Sequence, residues 1–130
     1  MPRRREDRCP GPIGPGTPDG PVLVAIVDHE PPDTALRAGF EYADLHATAI
    51  LVVHTGDAAP AGEAIDRWAD KYPAVPVSIQ TRRGIDAVVT LAAAARGCSR
   101  LVIGPAHGNP GRAVTGALLR RCPCPVVVVD

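Results

Sequence analysis

Five short, almost wholly apolar runs separated by segments of helical period leave this chain few folds to adopt. PVLVAIV (21–27), AILVVHT (49–55), VPVSIQT (75–81), RLVIG (100–104) and PVVVVD (125–130) all read as strands. Runs apolar on both sides mark strands covered on both faces, as in a parallel sheet. VPVSIQT differs, because Val75, Val77 and Ile79 alternate with polar neighbours. That alternation predicts an edge strand with a wetter face.

Helices fill the gaps. PPDTALRAGFEYADLHA (31–47) has Leu36, Gly39, Phe40 and Ala43 on one face, with prolines at its start, where they are tolerated. Residues 61–72 set Ile65, Trp68, Ala69 and Tyr72 on one side. IDAVVTLAAAAR (85–96) follows Gly84, with Ile85, Val88, Val89 and Ala92 read as inward and Gly97 as the residue that ends it. RAVTGALLRR (112–121) offers a short last helix with Ala113, Val114, Ala117 and Leu118 inward. The order βαβαβαβαβ predicts an α/β domain: a five-stranded parallel sheet, strand order 3-2-1-4-5, with helices on both faces.

The 130 residues suffice for one such domain, assigned to 21–130. Residues 1–20 hold five prolines and four glycines, and Ile13 is their only large aliphatic residue after Met1. Such a segment buries too little surface to offset its ordering entropy and reads as a disordered tail. Fourteen basic and fourteen acidic residues give zero net charge, and aromatics are scarce. Both argue against a dedicated nucleic-acid binder. No apolar run is long enough to span a bilayer and no secretory pattern follows the N-terminal arginines, so a cytoplasmic location without membrane attachment is expected. Cys9, Cys98, Cys122 and Cys124 read as thiols. Cys122-Pro123-Cys124 supplies only two ligands and is not a C-x-x-C redox turn, so it reads as two small apolar residues between helix and strand.

In a doubly wound sheet, ligands bind beyond the carboxyl ends of the strands, where strand order reverses. Here that crevice lies between the first and fourth strands. Asp28, directly after the first strand, either accepts from a nucleotide's amino or hydroxyl groups or serves as a turn or capping aspartate. LVIGPAHGNPGRAVTG (101–116), after the fourth strand, contains four glycines. No G-x-x-x-x-G-K-[ST], no G-x-G-x-x-G after the first strand and no G-x-S-x-G is present. The histidines His29, His46, His54 and His107 lack metal-ligand spacing and read as surface or strand-end residues. No nucleophile–base pair is evident, so the chain reads as non-catalytic.

V-A-I-V-D at strand one, V-V-H in strand two, K-Y-P-A-V-P-V before strand three, R-G-I-D-A-V-V-T-L-A-A-A-A before strand four, L-V-I-G at strand four and C-P-V-V-V-V at the end are similar, in order and spacing, to the universal stress protein family. The resemblance implies a five-stranded parallel sheet, dimerisation and, in one branch, ATP or AMP binding. That branch carries G-x-x-G, nine residues, then G-S or G-T. Asp28 matches the family's nucleotide-contacting aspartate, Thr55 falls where the second strand offers backbone atoms to adenine, and Gly104 matches the first glycine.

Beyond Gly104 the pattern breaks. Gly108 comes one residue late, Gly116 is followed by Ala117 rather than a hydroxyl, and Pro110 lacks an amide hydrogen. The loop reads as shortened, its remaining donors being Gly108, Gly111 and Arg112 at the start of the last helix. No cofactor is therefore assigned, with ATP or AMP as the alternative ligand that the resemblance implies. The resemblance also implies that strand 126–129 pairs with the same strand of a second chain, covering an otherwise exposed apolar edge. The expected function is a non-catalytic, dimeric module of the stress response with a degenerate nucleotide pocket and unidentified protein partners. The alternatives are a genuine ATP- or AMP-binding sensor and a slow nucleotide hydrolase.

Overall fold

The computed structural model describes residues 20–27, 32–55, 59–82, 87–104 and 108–129; for 59–61, 82 and 108–112 it describes the backbone. The elements are β1 (Val22–Val27), α1 (Asp33–Leu45), β2 (Ile50–Thr55), α2 (Ala59–Lys71), β3 (Val77–Arg82), α3 (Ala87–Ala94), β4 (Arg100–Ile103), α4 (Gly108–Arg121) and β5 (Val126–Val128). All pairings are parallel, in the order β3-β2-β1-β4-β5. The expected sheet is therefore the one observed.

Side chains alternate across the sheet, so each strand feeds two cores. Val22, Val24, Ile50, Val52, Val102 and Val127 pack with Leu36, Phe40 and Ala43 of α1 and Ala64 and Ile65 of α2. Leu23, Ala25, Val53, Leu101, Ile103 and Val126 face Leu91 of α3 and Leu118 of α4, together with Cys98, Cys122 and Cys124. Those three cysteines are free thiols inside this second core. Cys9 and the proposed tail lie outside the described residues, apart from Gly20.

Local chemistry fixes the first helix. Pro32 precedes α1, and its carbonyl accepts from the Leu36 amide at 3.0 Å. Asp33 in the first turn complements the helix dipole. Its Oδ1 also accepts from Arg67 Nη2 and Trp68 Nε1, both at 3.0 Å, tying α1 to α2. At the other end the Ala47 amide donates to Asp44 O and the Thr48 amide to Ala43 O, the paired bonds of a Schellman ending.

Three expectations are corrected. Of the α3 residues read as inward, Val89 is 57% exposed and the buried residue is Leu91. A helix apolar on every side carries no phase, so spacing alone cannot choose its face. Gly97 does not close α3 in a left-handed conformation; the chain tightens into a 3-10 turn, Ala95–Gly97, and continues through an extended Cys98. In α4 Ala113 is exposed, while Val114 and Leu118 contribute to the core as expected. Ile85 lies outside the described residues.

The edge position of β3 is as expected, but its wetness reaches both faces. Val75 is buried, Val77 half-buried, and Ile79 on the same side is 53% exposed. An outermost strand with a neighbour on one side only loses cover along its length.

Candidate functional site

Register assembles the carboxyl edge of the sheet. Val27, the last residue of β1, pairs with Thr55, the last of β2. On its other side β1 pairs with β4 up to Ala25–Ile103, and Gly104 follows at once. Thr55 and Gly104 therefore flank the end of β1 from opposite sides, which is where strand order reverses. Both are buried, Thr55 at 6% exposure. By strand alternation Thr55 belongs to the face of Leu51, Val53, Val27 and Ile103, the face that α3 and α4 cover. Asp28, next in the chain after Val27, lies outside the described residues.

The last helix begins earlier than its sequence suggests. α4 starts at Gly108, not at residue 112, so Gly108, Gly111 and Arg112 occupy its opening turns rather than a loop. Only residues 105–107 separate Gly104 from the helix. The first amides of a helix have no partner inside it, and its dipole favours an anion there. Pro110 sits in this first turn, where its missing N–H breaks no helical bond but subtracts one donor. The arrangement can offer a few backbone donors to one anionic group, three residues of chain beyond Gly104.

At this edge the sequence reading placed one residue at a strand end but missed its burial. His54, read as a surface or strand-end histidine, is 4% exposed. It pairs with Ile26 and Thr81 and points, by alternation, to the α1–α2 side. Its place within an apolar run was the available signal. His46, by contrast, is exposed at the end of α1, its ring stacked on Tyr42 with centroids 3.9 Å apart. His29 and His107 lie outside the described residues.

Among the described residues no group of three or more His, Cys, Asp or Glu is placed to hold a metal ion. No described helix is long and apolar enough to cross a membrane. Cys122 and Cys124 bring their sulfurs to 3.6 Å in the buried turn before β5. Burial, reinforced by Cys122, pushes the Cys98 thiol from 9.0 up to about 11. Cys98 Sγ donates to Ala94 O at 3.3 Å, as a protonated thiol can.

No family model and no curated protein matches the sequence. Solved structures do match the fold. A universal stress protein in complex with cAMP superposes with a TM-score of 0.61 at 19% identity, covering 85% of this chain and 98% of that one. A protein of the universal stress protein family from Burkholderia pseudomallei gives a TM-score of 0.56 at 24% identity, covering 88% of this chain and 98% of that one.

Proposed function

We propose that this chain, which has the fold of the universal stress proteins, is a non-catalytic cytoplasmic module. It acts in a stress response through dimerisation and protein contacts, and its nucleotide crevice is reduced on the phosphate side. One observation carries the crevice reading: α4 starts at Gly108, with only residues 105–107 between it and Gly104. The G-x-x-G-x9-G-S/T loop of the ATP-binding branch needs its second glycine and its Gly-Ser or Gly-Thr pair outside such a helix. Here Gly108 and Gly111 are already helical, and Gly116 lies in mid-helix. Few donors remain for a triphosphate.

The dimer reading rests on β5. Val126–Val128 forms one edge of the sheet, and Val128 and Val129 keep part of their surface exposed within a single chain. A second copy pairing along this edge would cover them. Sedimentation equilibrium of the whole chain and of Val128→Lys tests this: a dimer that the lysine converts to monomer supports it. A monomer in both removes dimerisation from the function.

A second reading has a specific observation in its favour. The solved relative in fold binds cAMP, a nucleotide with one phosphate. One phosphate is what a single helix start beside a short loop could still hold. In that reading the chain senses a nucleoside monophosphate, and titration with AMP, cAMP and ATP separates it from the first.

A further inference from the structure

Zero net charge conceals a marked segregation of charge. From Ala87 to Val129 the chain contains no aspartate or glutamate, yet it contains Arg96, Arg100, Arg112, Arg120 and Arg121. The carboxylates Asp33, Glu41, Asp44, Glu63, Asp66 and Asp70 belong to α1 and α2, on the opposite side of the sheet. Arg100 is taken up on that opposite side, its guanidinium 3.8 Å from the Tyr42 ring centre.

Arg96 and Arg121 are different. Both are exposed, neither forms an ion pair among the described residues, and both line one groove. The groove runs along the outer side of α3 to the end of α4, has a volume of about 320 Å³ and is half open to solvent. Its remaining lining is aliphatic: Val88, Val89, Ala92, Ala93 and Pro123. These α3 residues recur at helical spacing and end at Arg96, a stripe roughly 12 Å long at 1.5 Å per residue. Exposed apolar surface bordered by unneutralised cations calls for an occupant that is aliphatic in its middle and anionic at its rim.

We propose that the α3–α4 groove docks an acidic amphipathic helix of a partner protein, with aliphatic residues against Val88, Val89 and Ala92 and carboxylates on Arg96 and Arg121. Aliphatic side chains at helical spacing, with an arginine on each of the two helices, suit a helix laid along the groove. Nucleic acid is a poor match, because the lining has no aromatic ring and only two cations. A second copy is a poor match too. The chain's own acidic row, Glu63, Asp66 and Asp70 on α2, has Gly62, Arg67 and Lys71 beside it and brings no apolar side chain. This surface would serve the protein contacts inferred above and rests on that part of the reading. Neither the crevice nor β5 takes part in it.

The test is a titration of the isotope-labelled whole chain with two peptides of identical composition, followed by amide shifts. One carries leucines at i, i+3, i+4 and i+7 between glutamates; the other has the same leucines scattered around the helix. The striped peptide is expected to shift Val88, Val89, Ala92, Ala93, Arg96 and Arg121, and to bind at least about tenfold more tightly than the scattered one. Arg96→Glu, Arg121→Glu and Val89→Asp, all at exposed positions, should each weaken it by about tenfold while thermal unfolding stays unchanged. Equal binding of both peptides, shifts elsewhere, no binding at millimolar peptide, or tighter occupancy by decanoate would overturn the proposal. Loss of the β5 dimer or tight ATP binding would instead overturn the broader reading and leave this result standing.

Discussion

Gly39 of α1 lies against Val24 of β1 so closely that a methyl group at Gly39 would overlap Val24 Cγ2, and it would reach Ile50 Cδ1 at 3.1 Å. The missing side chain is what lets the first helix settle onto the centre of the sheet. Val24 and Ile50 are themselves fully buried, and β-branched side chains have little freedom to turn away.

Gly39→Ala should therefore destabilise the domain, although alanine is the better helix former by about 1 kcal/mol. Overpacking costs about 1–3 kcal/mol, leaving a net loss of up to about 2 kcal/mol. Urea unfolding followed by far-UV circular dichroism would show a lower midpoint at unchanged slope. A midpoint that rises would mean that helix and sheet are not in this contact.

Ala47 presents the opposite case. It has a φ of 53°, the only described non-glycine residue with positive φ, and it occupies the left-handed position of the Schellman ending of α1. A Cβ in that conformation costs roughly 1–2 kcal/mol, offset in part by alanine's smaller loss of chain entropy on folding. Ala47→Gly is expected to stabilise the domain by about 0.5–1 kcal/mol in the same unfolding assay. No gain, or a loss, would contradict the observed helix ending.

The Cys98 thiol gives a pH dependence with a definite sign. Its pKa is raised in the folded chain, from 9.0 to about 11, so the unfolded chain releases this proton first. The protonated thiol's contribution to stability is complete below pH 9 and is lost as pH rises toward 11. Cys98→Ala should thus flatten the fall in stability across that window. Parallel pH profiles for the two proteins would show that the thiol is not held protonated by its core.

Much of the architecture was legible because buried strands announce themselves. VLVAIV, ILVVHT and RLVI are apolar on both sides, and the helices between them, joined by right-handed crossovers, leave little choice of topology. The face of α3 was not legible, since Val88, Val89, Leu91 and four alanines make it apolar nearly all round. Only packing chose Leu91 over Val89.

The start of α4 was hidden for a different reason. Gly108-Asn109-Pro110-Gly111 has the composition of a loop, yet proline in a helix's first turn is also a recognised way to begin one. Of the residues named for the site, Thr55 and Gly104 lie at the carboxyl edge of the sheet. The charge segregation was present in the sequence but invisible in its sum, because a net charge counts the α1 and α2 carboxylates together with the arginines between Ala87 and Val129.

The most direct measurement on the crevice is isothermal titration calorimetry of the whole chain with ATP, AMP and cAMP, each with and without magnesium. A phosphate side limited to one helix start predicts no heat with ATP at micromolar concentrations, with or without the metal. Micromolar ATP binding that Asp28→Ala or Gly104→Val abolishes would contradict the reduced crevice and make the chain a nucleotide sensor.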